Sequence, residues 1–283
     1  MNKIVVAIDF SECSINAFLH ALSIAENCDG ELILLWVDKA TSEKEKFVDK
    51  SKDSSSDVQT AFEDMIAKYQ PEHPKVKISW KIRKGKIYLE VTGEAKSQKA
   101  MLIVTGTHGA SGFEEFWIGS NANKIVSAST CPVITIRGGI NIQRPLTKIV
   151  LPIDSAEETR QKASFTGYIA KRHQAEIIVL KLYTSKDKAM RHNVDLYTTQ
   201  VTRHFEEEKI KFQVAQMDCV NISDATIEYA KKIEANLIAV MTEQETTTAN
   251  IFLGPYAHQI VNHSPIPILS IHPRNTHAAG QGF

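Results

Sequence analysis

The stretch Thr105–Ile136, TGTHGASGFEEFWIGSNANKIVSASTCPVITI, decides how this chain folds. It follows an apolar run, residues 101–104, which predicts a buried parallel strand. Glycines at positions 106, 109 and 112 then predict a flexible loop. A helical pattern follows, with Ser120 or Asn121 as its N-cap, and it ends at Pro132 before a final strand.

A strand, a glycine loop and a helix N-terminus in succession form an arrangement that binds phosphate groups. Glycine lets backbone N–H groups approach an anion closely. The first turn of a helix adds unpaired N–H donors and the positive end of the helix dipole. The alternative is a strand-to-helix turn whose glycines only permit positive φ, and glycines alone do not decide between the two.

Length and composition limit the classes of protein to consider. The chain has 283 residues, enough for about two domains, and it is 43% hydrophobic and 23% charged, as in soluble globular proteins. Lysine plus arginine and aspartate plus glutamate both number 33, so no nucleic-acid partner is expected. No apolar run reaches membrane-spanning length. Four widely separated cysteines, together with an N-terminus that lacks a signal-peptide pattern, predict a cytoplasmic location.

The sequence repeats itself. IVVAID at residues 4–9 recurs as IVLPID at residues 149–154, 145 positions later. Gly119 and Pro132 recur as Gly254 and Pro267, only 135 positions later. The chain is therefore a tandem duplication whose second copy is ten residues shorter after its second strand. We expect the charged, serine-rich segment 41–56 to hold that difference.

Each copy alternates strands and helices, which predicts a doubly wound α/β fold with a parallel sheet. In the first copy we expect strands near 4–8, 31–37, 76–82, 101–105 and 133–137, and helices near 14–27, 57–69, 86–98 and 121–128. The predicted domains are 1–138, with an intact glycine motif, and 146–273, with a degenerate one. Residues 274–283 are predicted to form a loose tail.

With the repeat and the glycine loop established, the chain resembles the universal stress protein family, as a tandem two-domain member. The specific likeness is the family's nucleotide signature: glycine, two residues, glycine, nine residues, glycine, then serine or threonine. It occurs here as Gly106, Gly109, Gly119 and Ser120. The resemblance implies two parallel five-stranded sheets in the order 3-2-1-4-5, the adenine nucleotide alpha hydrolase-like fold. Ligands of such sheets bind at the carboxyl ends of the strands, where the strand order reverses.

The resemblance also implies a site for an adenine nucleotide, ATP with or without Mg²⁺. Residues that end the first two strands would contact the nucleoside, and the glycine motif would surround the phosphates. The implied site residues are Ala7, Asp9, Val37, Thr105, Gly106, Gly109, Gly119, Ser120 and Asn121. Two features depart from the family pattern. Glu114 and Glu115 stand where many relatives have a basic residue, and Met101 replaces an acidic residue before the late strand.

The second copy serves as an internal control. Met241, Gln244, Pro255 and Tyr256 occupy the positions of Gly106, Gly109, Ser120 and Asn121. Proline removes an N–H donor and the bulky side chains obstruct the loop, so we expect this copy to bind no nucleotide in the ordinary way.

The aspartate that ends the first strand is present in both copies, as Asp9 and Asp154. Asp9 therefore has two candidate roles of equal weight, a cap of the strand-to-helix turn and a ribose ligand. Ser155 with Glu158 additionally predicts a capping box in the second copy.

These features favour an ATP-binding regulatory protein of the stress response over an enzyme. No nucleophile elbow and no P-loop motif is present in the sequence, although slow ATP hydrolysis is compatible with it. The alternative is a non-catalytic interaction module that acts through its surfaces without nucleotide. The resemblance implies pairing of the two domains as a pseudo-dimer through the last strands, residues 133–136 and 268–271. A homodimer or a protein partner is a further expectation, and no membrane partner is expected.

Overall fold

The computed structural model describes residues 2–39, 54–107, 119–137, 145–242, 244–247 and 250–273. The chain divides into two compact units, Met1–Ile142 and Gln143–Phe283. Most of the charged segment 41–56, the glycine-loop residues Gly109 and Gly112, and the tail 274–283 lie outside the described residues.

The first unit alternates strands and helices along its whole length. Its elements are β1 (Asn2–Ala7), α1 (Glu12–Asn27), β2 (Gly30–Lys39), α2 (Ser54–Tyr69), β3 (Lys77–Gly85), α3 (Ile87–Ser97), β4 (Leu102–Gly106), α4 (Ser120–Ala128) and β5 (Val133–Ile136). Every strand and helix predicted for this half is present, with boundaries that differ by a few residues.

The five strands of the first unit form a parallel sheet in the order β3-β2-β1-β4-β5. The predicted order 3-2-1-4-5 is thus confirmed. The central strands are almost wholly apolar because both of their faces are covered: in β1, for example, Ile4, Val5 and Val6 are fully buried. Helix α1 packs against β1, β2 and β4, and α3 packs against α4.

The edge strand β3 is joined to α3 by a buried ion pair. The side chain of Glu94 on α3 is only 2% exposed, and its two oxygens accept hydrogen bonds from Lys81 at 2.6 Å and Arg83 at 2.8 Å. Burial alone raises the pKa of Glu94, but the hydrogen bonds from Lys81 and Arg83 outweigh it and hold the pKa below its ordinary value. Glu94 is therefore ionised at neutral pH and ties the helix to the edge of the sheet.

The second unit repeats the plan with two local changes. Its elements are β6 (Lys148–Ile153), a 3₁₀ helix (Glu157–Gln161), α5 (Lys162–His173), β7 (Glu176–Tyr183), α6 (Lys188–Glu207), β8 (Phe212–Asp218), α7 (Ile222–Lys232), β9 (Leu237–Met241), β10 (Gln244–Thr247), β11 (Asn250–Leu253), α8 (Pro255–His263) and β12 (Ile268–Ile271). Its parallel sheet has the order β8-β7-β6-β9-β12. The antiparallel pair β10-β11 occupies the chain positions of the first unit's glycine loop.

The ten-residue difference between the copies falls where it was expected. Fourteen residues, 40–53, separate β2 from α2, whereas four residues, 184–187, separate β7 from α6. From that point the two halves keep the shorter offset, since β3 begins at Lys77 and β8 at Phe212. Across the described part of the chain, no helix is long and apolar enough to cross a membrane.

Candidate functional site

The strand order of the first unit reverses between β1 and β4, and the site lies at their carboxyl ends. The two strands are paired side by side, with Ala7 opposite Thr105, so the residues that follow each strand emerge at the same edge. The edge continues to β5, because the Thr107 N–H donates to the Ile136 carbonyl at 2.8 Å. This is the place where doubly wound sheets bind ligands.

Gly106 is needed for the packing of β4 against α1. A Cβ atom at this position would lie 2.8 Å from Cys13 Cβ and 2.9 Å from the Cys13 carbonyl carbon, in the first turn of α1. Real carbon atoms do not approach so closely, so the strand end and the helix fit together only around glycine. The sequence predicted Gly106 from phosphate binding alone, and its contact with α1 is an additional reason for glycine there.

Asp9 organises the turn from β1 into α1. Its carboxylate accepts hydrogen bonds from the N–H and hydroxyl groups of Ser11, the N-cap residue of α1. The Ser11 hydroxyl in turn accepts from the Ser14 N–H at 3.3 Å. In the second unit Asp154 accepts from the Ala156 N–H at 2.9 Å in the equivalent turn. Because the second unit lacks the glycine motif, this shared bond supports the capping role of Asp9.

The N-terminus of α4 differs from the prediction by one residue. Gly119, rather than Ser120 or Asn121, is the N-cap, and among the described residues no side chain caps the helix. The Gly119 N–H is already used, since it donates to the Thr107 carbonyl at 2.7 Å. The donors left for an anion are therefore the first helical N–H groups, those of Ser120, Asn121 and Ala122, which have no acceptor within the helix.

Two of the expected site residues are largely buried. Thr105 is 4% exposed, and its hydroxyl donates to the Gly106 carbonyl at 3.2 Å. It therefore stabilises the strand end from the protein interior. Val37 is 9% exposed near the end of β2, where it lies opposite Arg83 of β3. Ala7, half-buried, is the last residue of β1. Gly109 lies outside the described residues, so its role in binding phosphate stays a prediction.

The sequence analysis did not single out Phe10, which follows Asp9 directly. Its φ is 60°, in the left-handed region that residues other than glycine adopt at a cost. The ring lies 5.0 Å from that of Phe62, which stacks on Trp80 at 5.5 Å, and this packing holds the turn. The signal in the sequence was an aromatic residue three positions after the end of the first strand.

Arg137 was also missed. It follows β5 immediately and is half-buried, with its Nε atom shielded from solvent. Burial lowers the pKa of its guanidinium, while the neighbouring Cys13 side chain acts in the opposite direction. The ammonium group of Lys124 on α4 lies 5.6 Å from the ring centroid of Tyr88 on α3. A basic residue at the carboxyl end of the last strand was the clue in the sequence.

In the second unit, larger side chains occupy the equivalent edge of the sheet. Met241 replaces Gly106 and is 8% exposed. The residues that match the first turn of α1 form a 3₁₀ helix, and α5 begins only at Lys162. The position equivalent to Cys13, Glu158, therefore lies in the 3₁₀ helix rather than in an α-helix. The predicted capping box of Ser155 and Glu158 is wrong, because Ala156 is the N-cap and no side chain caps this segment.

Buried polar groups accompany that change. Lys162 is 2% exposed, and its ammonium group donates to the Thr159 hydroxyl at 2.9 Å and interacts with Asp154. Burial lowers the pKa of Lys162 from 10.5 to about 8. Tyr256 follows Pro255 in the first turn of α8, and burial raises the pKa of its phenol. The second unit thus carries a cation and an aromatic ring of its own at this edge.

A small depression remains in the second unit beside the ends of β6 and β7. Its volume is about 160 Å³, and Leu182, the residue equivalent to Val37, is part of its lining. Tyr183 and Arg191 close it, with the guanidinium stacked 3.8 Å from the ring centroid. Small-molecule sites usually enclose about 300 Å³ or more, so this depression is too small for a nucleoside. No cluster of metal-ligating side chains occurs among the described residues of either unit.

Fold and site together define a tandem pair of doubly wound α/β units with the adenine nucleotide alpha hydrolase-like fold. The model of the universal stress protein family matches residues 1–137 and again residues 145–272. The chain therefore belongs to the universal stress protein family.

Relatives and solved structures agree with this assignment. The universal stress protein MJ0531 of Methanocaldococcus jannaschii is 30% identical over 144 residues, covering 48% of this chain and 81% of the relative. The universal stress protein YxiE of Bacillus subtilis is 30% identical over 162 residues, covering 48% and 99%. A universal stress protein structure from Archaeoglobus fulgidus aligns with a TM-score of 0.74 at 16% identity, covering 96% of this chain and 98% of the other. At that identity the alignment shows the shared fold.

Proposed function

We propose that the protein is an ATP-binding regulatory member of its family and that the first unit carries the nucleotide. The observation that carries the proposal is the N-terminus of α4, where no side chain of the described residues caps the first N–H groups, beside the glycine that ends β4. Such N–H groups, together with the helix dipole, attract phosphate. The spacing of Gly106, Gly109, Gly119 and Ser120 matches the signature expected of family members that bind ATP.

The nucleoside would lie against the ends of β1 and β2, near Ala7, Asp9 and Val37. This assignment rests on the strand order, which brings these residues to the same edge as Gly106. The phosphates would extend toward Ser120 and Asn121. Mg²⁺ would accompany ATP as a counter-ion of the phosphates, a role that needs no dedicated protein cage.

Binding is tested by titrating the purified protein with ATP in a calorimeter. We expect one site per chain, and Gly109→Gln, which copies the residue of the second unit, to weaken ATP binding by at least about tenfold through steric obstruction. The matched control is the reciprocal change Gln244→Gly, which leaves Met241, Pro255 and Tyr256 in place and is expected to change nothing. Unaltered affinity in Gly109→Gln would show that the glycine loop does not bind phosphate.

We further propose that the bound nucleotide acts as a signal and is turned over slowly or not at all. The sequence places no nucleophile beside a base, and Ser120, the hydroxyl nearest the expected phosphates, has no basic residue next to it in the chain. Phosphate release would be followed with ATP and Mg²⁺ present. Release at ordinary enzymatic rates, about 1 s⁻¹ or faster, would contradict the regulatory proposal.

The second candidate function is an interaction module that works without nucleotide. The observation in its favour is the second unit, whose equivalent edge is taken up by Met241, Lys162 and Tyr256. The titration, carried to saturating ATP, distinguishes the two candidate functions. If the calorimetric titration detects no ATP binding at millimolar concentration, the interaction module becomes the better explanation.

A further inference from the structure

Arg137 stands at the edge where the proposed phosphate site lies, although it is distant in sequence from the glycine motif. It directly follows Ile136, whose carbonyl accepts the Thr107 N–H, and Ile136 is paired with Gly106 across β4 and β5. The Arg137 backbone is thus one residue beyond the strand end that flanks the glycine loop.

Arg137 lies at the carboxyl edge beside the end of β4, and its Nε atom is shielded from solvent. The Cys13 side chain opposes the effect of burial on the pKa of the Arg137 guanidinium, and Cys13 is also the residue that a Cβ at Gly106 would meet. The strand pairing thus places Arg137 one residue beyond the β5 partner of Gly106. It is also half-buried, so its charge is less screened than that of a surface arginine.

The second unit shows independently which way this position points. His272 is the equivalent of Arg137, and its ring nitrogen forms a hydrogen bond with the Thr242 hydroxyl, one residue beyond the end of β9. The backbone bond from the Thr242 N–H to the Ile271 carbonyl, 2.9 Å, matches the bond between Thr107 and Ile136. In the second unit the side chain after the last strand thus covers the end of the neighbouring strand, and the matching backbone bond indicates the same direction for Arg137.

We propose that Arg137 binds the phosphate chain of the nucleotide and gives the first unit its preference for phosphorylated over unphosphorylated adenosine. A guanidinium binds phosphate through two parallel charge-assisted hydrogen bonds, which lysine cannot reproduce. The residue supplies the positive charge that the loop lacks, since Glu114 and Glu115 occupy the positions where a basic residue is common. This inference rests on the proposed nucleotide site and names the group that reads the phosphates.

The test compares ATP and adenosine binding in the wild-type protein, Arg137→Gln and Arg137→Lys. We expect Arg137→Gln to raise the Kd for ATP by about 10- to 100-fold, the loss typical of a charge-assisted pair, and to leave the Kd for adenosine within about twofold. Arg137→Lys should fall between the two. Lys124→Gln is the matched control, because Lys124 lies against Tyr88 and should leave both affinities unchanged.

The outcomes separate this inference from the proposed function. If the wild-type protein binds ATP and Arg137→Gln binds it equally well, Arg137 does not contact phosphate although the nucleotide site stands. Equal losses for ATP and adenosine in Arg137→Gln would show a structural role and overturn the inference too. If the wild-type protein binds neither ligand at millimolar concentration, the nucleotide site itself is wrong and the inference falls with it.

Discussion

Replacing Gly106 by alanine tests whether this glycine holds the strand end and α1 together. The added Cβ would lie 2.8 Å and 2.9 Å from two carbon atoms of Cys13, whereas carbon atoms pack at about 3.5–4.0 Å. The helix must therefore move by roughly 0.5–1 Å, and overpacking of this kind costs about 1–3 kcal/mol. Alanine is favoured over glycine in a strand by about 0.5–1 kcal/mol, so the net loss of stability should be about 1–2 kcal/mol.

Tryptophan fluorescence during urea unfolding is the suitable assay. The three tryptophans, Trp36, Trp80 and Trp117, all belong to the first unit, so the signal reports that unit alone. With a slope of about 2 kcal/mol per molar urea, the midpoint of Gly106→Ala should fall by roughly 0.5–1 M.

Gly93→Ala is the matched control for that substitution. Gly93 lies inside α3, and a Cβ there would meet nothing within 4 Å. Alanine should therefore stabilise the unit by about 0.8–1 kcal/mol, the difference in helix propensity, and the two substitutions should have opposite signs. A Gly106→Ala protein as stable as the wild type would show that the strand end and the helix are not in the tight contact described.

Two further predictions concern buried charges. Glu94→Gln should destabilise the first unit by about 2 kcal/mol in the same assay, a value reduced because Lys81 and Arg83 are partly exposed. Since the folded pKa of Glu94 is lowered, its contribution is fully present above about pH 4.5 and is lost as the pH falls further, so the variant should show a shallower acid dependence. Lys162→Met should stabilise the second unit at pH 7 by about 1–3 kcal/mol, because the desolvated charge is removed. The folded pKa of Lys162 is about 8, below its ordinary 10.5, so wild-type stability should rise between those pH values, and the variant should lack this rise in urea unfolding followed by circular dichroism.

The apolar pattern and the internal repeat of the sequence were sufficient to predict the architecture. Apolar runs such as residues 4–8 and 101–105 predict buried strands of a parallel sheet, and the offsets of 145 and 135 residues revealed the duplication. These signals are local and repetitive, so they can be read without knowing which strands are neighbours. The family signature likewise depends on spacing along the chain and needs no tertiary contact to be recognised.

Contacts between distant residues were settled only by the tertiary structure. Gly106 was predicted from phosphate binding alone, and only the structure shows that α1 packs against it. Arg137, 31 positions further along the chain, lies one residue beyond the β5 partner of Gly106. The N–H of Gly119 seemed available to phosphate, yet it donates to Thr107. The register of the strands and the packing of the helices decide which side chains and N–H groups meet at the carboxyl edge, and neither can be obtained from local pattern because both arise from pairing across the whole sheet.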